Sequence, residues 1–216
     1  IGFSPNNIAR TTNQGFDGQI SYQDRFGDFD FNTNLVFSYA KNRVDYKAEA
    51  QQKYPWLAAT GKPLNQPFGY KWIGYYTPED VAKIRSGASD APAAPYTDIP
   101  VQAGDLKYAD LNNDGTIDDY DKSAIGKPNL PSTTLGWSFG GYWRGFSFNV
   151  LFQGSFDYSF AINGTGIESF KSQFQPIHTS RWTLERYQNG EEIGFPRLTT
   201  NPSTINSAST YMSDFW

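Results

Sequence analysis

Apolar and polar residues alternate along two segments of the chain, and a short turn interrupts each segment. The first segment covers about 15–40 with a turn over 24–28, and the second covers about 133–158 with a turn at Arg144 and Gly145. A period of two residues is typical of β-strands, so the pattern predicts two antiparallel hairpins with strands of about 9 to 12 residues. The predicted apolar face carries Phe16, Ile20, Tyr22, Phe29, Phe31, Leu35, Phe37 and Tyr39 in the first hairpin and Leu135, Trp137, Phe139, Trp143, Phe146, Phe148, Val150, Phe152, Phe156 and Tyr158 in the second.

The residues opposite the rings indicate what this sheet faces. They are mainly Asn, Gln, Ser and Gly, with a few Asp, whereas the exposed face of a soluble β-sandwich is usually rich in Lys and Glu. Strands of this length cross a bilayer when tilted, and transmembrane barrels alternate apolar-out and polar-in residues. We therefore expect an all-β fold that is part of a large transmembrane antiparallel β-barrel. A soluble sandwich with the rings as its core remains the alternative.

Four strands cannot close a barrel, because the smallest have about eight. The chain is therefore expected to be a fragment of a barrel wall, and its start at Ile1 without a Met agrees with that expectation. Rings near strand ends are candidates for the interfacial girdle: Tyr22 and Trp143 beside the short turns, and Tyr39 and Tyr158 beside the long connections. In such barrels the short turns face the periplasm and the long connections face outside.

Two long connections, 41–132 and 159–216, are rich in Pro, Asn, Ser, Thr and Gly and predict extended loops. Within the first, Thr77 as N-cap, Pro78 at the first helical position and Gly87 as the stop signal predict a short helix. A second short helix is predicted within 179–190. Loop rings suited to stacking on sugars, packing on a partner or packing on one another are Trp56, Tyr70, Trp72, Tyr75, Tyr76 and Trp182.

Composition excludes several classes of protein. The chain has 216 residues, 17% of them aromatic and 19% charged, with a net charge of −4, whereas binding of nucleic acid requires a basic surface. The absence of cysteine excludes disulfides and thiolate metal sites. The sequence shows no signal peptide and no apolar run long enough for a transmembrane helix.

The acidic segment 110–121, DLNNDGTIDDYD, has the ligand spacing of an EF-hand calcium loop. Gly115 supplies the sharp turn at the sixth position. The segment 105–121 contains six aspartates and one lysine, a formal local charge of −5, and a bound cation would reduce the repulsion among these charges. Asp121 is shorter than the usual Glu at the twelfth position, as in dockerin-like loops. We expect a structural Ca²⁺ site; the alternative is a solvated turn without a metal. The predicted ligands are Asp110, Asn112, Asp114, the Thr116 carbonyl, Asp118 through water, and Asp121.

Other chemistry has little support in the sequence, so no enzymatic activity is expected. His178 is the only histidine, and we interpret it as an ordinary surface or loop residue rather than a catalytic or zinc-binding one. The Gly-Thr-Gly run at 164–166 lacks the strand and helix that frame a phosphate loop. The carboxylates expected on the wet face of the wall, with no pattern that pairs them as acid and base, are Asp17, Asp28, Asp30 and Asp157.

Several motifs together resemble the SusC/RagA-like TonB-dependent outer-membrane transporters. They are FGYKWIGYYTPEDVAKI at 68–84, GDLKYADLNNDGTIDDYDKSAIGKPNLP at 104–131 and LGWSFGGYWRGFSFNVLFQGSF at 135–156, with a looser match in RWTLERYQNGEEIGFPRL at 181–198. Their order and spacing are those of the family, and they cover more than half of the chain. The sequence lacks a plug, a TonB box and the other barrel strands, so the resemblance implies only part of the wall and its outer loops.

The resemblance also implies a function and partners. Family members are 22-stranded, plugged barrels of the bacterial outer membrane, energised by TonB through their N-terminal part, that import oligosaccharides or peptides captured by a SusD-like surface lipoprotein. Two other functions stay open: a passive porin, and a secreted calcium-dependent glycan-binding β-module. The module is expected to be soluble without detergent, whereas the wall fragment is expected to aggregate.

Overall fold

The computed structural model describes residues 8–97, 99–162, 174–199 and 205–216. Two helices and ten strands are assigned in this part of the chain, together with short 3₁₀ turns at Pro55–Leu57, Asp119–Asp121 and Pro176–Ser180. In chain order the elements are β1 (Ala9–Phe26), β2 (Phe29–Lys47), β3 (Phe68–Tyr70), β4 (Trp72–Tyr75), α1 (Pro78–Ser86), β5 (Ala94–Pro95), β6 (Leu106–Tyr108), β7 (Thr116–Ile117), β8 (Lys122–Ala124), β9 (Thr133–Trp143), β10 (Phe146–Phe156) and α2 (Leu184–Asn189).

The chain divides into two compact units. The sheet unit comprises the described residues of Ile1–Ala50, Ala58–Gln66 and Gly126–Phe160, and the loop unit comprises those of Gln51–Leu57, Pro67–Ile125 and Ala161–Trp216. The predicted all-β fold is confirmed, since strands dominate the described residues and helices are few.

Both predicted hairpins are present, and they join into one antiparallel sheet with the order β1-β2-β9-β10. The pairs Phe26↔Phe29 and Trp143↔Phe146 leave two-residue turns in each hairpin. Arg144 (φ 45°) and Gly145 (φ 93°) both have positive φ, as a type I′ hairpin turn requires. The first turn is shorter than the predicted 24–28, because pairing continues to the end of β1.

The first hairpin is also longer than predicted at its open end. β1 has 18 residues and β2 has 19, whereas the alternation of rings stops at Phe16 and Tyr39. Strand pairing depends on backbone hydrogen bonds, so the ladder continues where both faces become polar. Hydrophobic alternation therefore locates the apolar band rather than the whole strand.

The loop unit contains more regular structure than the predicted loops. Three two-stranded sheets, β3-β8, β4-β6 and β5-β7, bring together segments that are distant in sequence. Both helix predictions are confirmed: Thr77 caps α1 in a capping box with Asp80, and Gly87 ends it in the left-handed conformation. Helix α2, capped by Thr183, covers only part of the predicted 179–190.

The core of the loop unit combines tyrosine rings with aliphatic side chains. Tyr70, Tyr108 and Tyr211 pack together, with ring centroids 5.1 to 5.8 Å apart. The Tyr108 hydroxyl donates to the Ile205 carbonyl oxygen at 2.7 Å, so the buried phenol is satisfied. In the described residues, no helix has the length and apolar character needed to cross a membrane. The Gly-Thr-Gly run at 164–166 lies outside the described residues.

Candidate functional site

The register of the large sheet places the predicted apolar residues on one face. Residues paired across antiparallel strands project to the same face, and Ile20, Leu35, Trp137 and Phe152 form one row across all four strands. Trp137 and Phe152 stack with centroids 6.0 Å apart yet are 45% and 56% exposed. The sheet unit thus presents a continuous aromatic face that is not covered by the described part of the chain.

The opposite face of the same sheet carries hydrogen-bonded polar side chains. Gln19 donates to the Asn34 side-chain oxygen at 2.6 Å, and the Ser21 hydroxyl donates to the same oxygen at 2.8 Å. A shallow recess of about 470 Å³ lies on this face, lined in part by Asn34, Gly136 and Gln153. Such a surface favours contact with water or a polar solute rather than with lipid.

At the turn end of the sheet, charges are paired locally. Arg144 bonds Asp28 at 3.0 Å, Arg25 lies 3.5 Å from Asp30, and the predicted girdle residue Tyr22 donates to Asp24 at 2.6 Å. The carboxylate of Asp157 forms a separate ion pair with Lys127, with an N–O distance of 2.5 Å. The structure thus pairs Asp28, Asp30 and Asp157 with cations rather than with one another. Trp143 lies beside the turn, and Tyr39 pairs with Thr133 at the other end of the aromatic band.

The acidic loop 110–121 closes through its own aspartates. The Asp110 carboxylate accepts the backbone N–H of Gly115 at 2.8 Å, and Gly115 has φ 83°. Asp114 accepts from Thr116 at 2.9 Å, while the two oxygens of Asp121 accept from Leu111 and Asp118 at 2.8 and 2.9 Å. The remaining predicted ligands also take part, since Asn112 accepts the Asp114 N–H at 3.0 Å and Asp118 accepts the Tyr120 N–H at 2.7 Å.

The oxygen atoms that the loop offers as ligands suit calcium, although the side chains that carry them accept hydrogen bonds from the backbone of the loop. Across the described ranges, no group of three or more Asp, Glu or His side chains is arranged to hold a metal ion. Each carboxylate oxygen that accepts one N–H keeps a further lone pair, and calcium takes carboxylate, amide and carbonyl oxygens together. Burial raises the pKa of Asp121, and the nearby Asp110 adds to that effect. Calcium binding at this loop stays a prediction.

A buried ion pair in the loop unit was not predicted from the sequence. Asp105 is fully buried; it is bound by the Arg197 Nε at 2.6 Å, by the Asn206 amide at 2.9 Å and by the Gln102 backbone N–H at 2.8 Å. Burial raises the pKa of Asp105, whereas Arg197 and the hydrogen bonds act to lower it. Sequence analysis counted Asp105 only as part of the acidic cluster, because its partners lie about a hundred positions away.

The predicted loop rings pack mainly within the loop unit. Tyr70 and Tyr76 are core residues, and Trp72 and Tyr75 pack against that core. Trp56 stacks on Tyr54 at 4.6 Å, and its indole donates to the Tyr120 carbonyl. Trp182 stacks on Tyr187 at 6.0 Å. The structure therefore supports the packing interpretation for these rings over an open sugar-stacking platform.

The interpretation of His178 as a surface or loop residue is correct as to the loop, since His178 lies in the turn Pro176–Ser180, and wrong as to the surface. His178 is 1% exposed and lies between the rings of Phe174 and Phe195. Its Nδ1 accepts the Gln175 backbone N–H at 2.8 Å, which caps the 3₁₀ turn Pro176–Ser180. A histidine that caps a turn inside an aromatic pocket leaves no periodic pattern of apolar residues in the sequence. The alternation of apolar and polar residues therefore could not predict this role.

Comparison with known proteins gives structural matches only. No family model and no curated protein sequence matches the chain. The fold is similar to the RagAB peptide importer in its closed-closed state (TM-score 0.57, 16% identity) and in its open-open state (0.55, 13%), and to the RagAB peptide transporter (0.58, 15%). These matches cover 93 to 94% of this chain but only 20 to 21% of the others. The chain therefore has the fold of about one fifth of an importer chain.

Proposed function

We propose that this chain forms part of the barrel wall and the outer loops of a TonB-dependent outer-membrane importer. The observation that supports this most directly is the sheet with an exposed aromatic face and a polar face. Large contiguous apolar patches are rare on soluble proteins, so such a sheet is unfavourable when both of its faces contact water. In a barrel wall the aromatic face contacts lipid and the polar face contacts an aqueous lumen. The fold similarity to the RagAB importer supports the same proposal.

The substrate and partner follow from the same comparison and from the motifs. We propose a peptide or oligosaccharide substrate, with peptides favoured by the likeness to a peptide importer. The partner is a SusD-like surface lipoprotein, and TonB acts through another part of the protein. This part of the transporter carries no catalysis in the proposal.

Uptake by intact cells tests the proposed function. Cells lacking the gene are expected to lose uptake of labelled oligopeptides or oligosaccharides, and complementation is expected to restore it only when TonB is active. The full-length product is expected in the outer-membrane fraction, extractable only with detergent. Uptake that persists without TonB activity would instead indicate a porin, and a product soluble without detergent would indicate a secreted β-module.

We also propose that the loop 110–121 binds a structural Ca²⁺. Removing the ion with EDTA is expected to loosen the loop unit without unfolding the barrel, since a ligand that binds only the folded form stabilises that form. Asp114→Ala removes one proposed ligand, so in the presence of calcium this variant is expected to behave like the wild type treated with EDTA. Limited proteolysis of the full-length protein, with cleavage mapped within Pro67–Ile125, measures this.

Asp119→Ala is the matched control for the calcium test. Asp119 belongs to the same acidic run but lies outside the ligand set, and its exposed bond to Lys122 contributes little stability. Cleavage that changes neither with EDTA nor with Asp114→Ala would identify the loop as a solvated turn held by its backbone hydrogen bonds.

A further inference from the structure

The aromatic face of the sheet unit becomes cationic at its open end. Beyond Phe16 and Tyr39, the same face of β1 and β2 continues with Arg10, Lys41 and Arg43, here called the cationic strip. The polar residues Thr12 and Gln14 lie beside them. The side that faces lipid in the proposed function therefore changes from rings to positive charge within two residues of Tyr39, with one further exposed ring, Tyr46, paired with Arg10.

Both arginines of the cationic strip are held in place by a single carboxylate. Asp45 accepts from Arg43 Nε at 3.2 Å and lies 3.1 Å from its Nη2, while Arg10 Nε lies 3.9 Å from the other oxygen. The Thr12 hydroxyl also donates to Asp45. Since an arginine has five N–H donors, both guanidinium groups keep donors for another anion.

Lys41 is the cation without a protein partner. In the part of the chain that the structure describes, its ammonium forms no hydrogen bond or ion pair, and the strip with Asp45 has a net charge of +2. The side chains of Arg10 and Arg43 are 77% and 66% exposed. A recess of about 680 Å³ lies here, lined in part by Phe16, Tyr39, Lys41 and Arg43. The site thus offers unused donors and positive charge beside the exposed ring of Phe16 and the half-buried ring of Tyr39.

Lys41 lies at the depth of lipid headgroups, Arg43 lies at their outer edge, and Arg10, six residues beyond Phe16 on β1, lies farther out. The eleven paired residues of β2 from Phe29 to Tyr39 extend about 36 Å, or about 25 Å along the membrane normal at a tilt near 45°, the height of the apolar band of such barrels. At the same tilt, Lys41 and Arg43 lie about 5 and 9 Å above Tyr39. The polar headgroup layer is about 5 to 8 Å thick on each side of the hydrocarbon.

The two ends of the sheet differ in charge. At the turn end, Arg25 and Arg144 each have an aspartate of their own within 3.5 Å, so little positive charge is left for a ligand. At the open end, Arg10 and Arg43 share Asp45, and Lys41 forms no ion pair among the described residues. An anionic lipid is therefore favoured at the open end alone.

We propose that the cationic strip binds the phosphate of an anionic lipid headgroup, with the acyl chains against Phe16 and Tyr39. The proposal rests on the proposed function, because only a sheet seated in a membrane brings lipid to this face. The guanidinium groups supply paired donors to phosphate oxygens, Lys41 supplies a point charge, and Asp45 positions both arginines.

Native mass spectrometry of the full-length protein in detergent tests the proposal. Phosphatidylglycerol is expected to bind more tightly than phosphatidylcholine with identical acyl chains. The double variant Lys41→Gln/Arg43→Gln is expected to weaken phosphatidylglycerol binding about thirtyfold, which is the effect of two basic residues near an anionic surface. The matched control, Arg25→Gln/Arg144→Gln, removes the same charge at the turn end and is expected to leave binding unchanged.

The outcomes separate this inference from the proposed function. A folded barrel, recognised by its heat-modifiable mobility in electrophoresis, with no preference for phosphatidylglycerol overturns the headgroup site and leaves the importer proposal standing. Equal loss in both double variants also overturns the site, because the effect would then reflect total charge. Displacement of phosphatidylglycerol by inorganic phosphate alone would identify a free-anion site and contradict a lipid one. Failure to form any barrel would overturn both proposals.

Discussion

Arg197→Met is expected to destabilise the loop unit by about 3 to 5 kcal/mol, because it leaves a buried carboxylate without its countercharge. Asp105 is 1% exposed in its side chain, and Arg197 is the only cation bonded to it among the described residues. Methionine keeps much of the length and packing of the arginine stem but removes the charge. The effect is expected wherever Asp105 is ionised, because the buried carboxylate then lacks its countercharge.

The destabilisation is expected to shrink in acid. Burial already raises the pKa of Asp105, and Arg197 is the largest influence that opposes the rise, so the variant raises this pKa further. A carboxyl group with a raised pKa in the folded state costs stability above that pKa and regains it when the group is protonated. The deficit of the variant relative to the wild type is therefore constant above the folded-state pKa of the variant, and falls as the pH is lowered from that pKa toward the folded-state pKa of the wild type.

Hydrogen exchange on the full-length protein measures this local stability. The amide of Leu106, which donates to Asn206 inside the unit, and the amide of Gly104, bonded to Tyr76, are suitable probes. The double variant Asp105→Asn/Arg197→Met removes both charges and is expected to recover much of the loss. A deficit that does not fall as the pH is lowered through the folded-state pKa of Asp105, or that the double variant does not reduce, would contradict the role assigned to the ion pair.

The sheet could be predicted from the sequence because its information is local. Each strand alternates rings and polar side chains, and the Arg144-Gly145 turn fixes the register of the second hairpin without reference to any other segment. The caps of α1, Thr77 and Gly87, are also local. Such signals decide which face a residue takes, so they revealed the two faces that support the proposed function.

The loop unit could not be predicted in the same way. Its core brings together Tyr70, Tyr108 and Tyr211, which come from three separate segments with no common period. Asp105 and His178 are buried only because that core forms around them. The sequence of a short polar stretch does not indicate whether other segments will cover it. For this reason the loops were predicted as irregular, and the burial of His178 was not predicted.

The two faces of β10 are expected to respond in opposite ways to the same substitution. Val150 lies on the aromatic face near the middle of the strand, between Phe148 and Phe152, and pairs with Phe139. Val150→Arg, like Phe148→Arg nearer the turn, would place a charge in lipid at a cost of about 2 to 4 kcal/mol near the midplane. Asn149→Arg places the same side chain on the polar face, where water solvates it, and is expected to be mild.

Adjacent positions on one strand make this a matched comparison, since the strand, the introduced side chain and the added charge are the same. The measurement is the fraction of full-length protein that reaches the heat-modifiable, folded form in the outer membrane, followed by urea unfolding of that form in lipid vesicles. Val150→Arg and Phe148→Arg are expected to lower both quantities, while Asn149→Arg stays near the wild type. Equal tolerance at 149 and 150 would show that neither face contacts lipid, and the aromatic face would then have to be covered by protein.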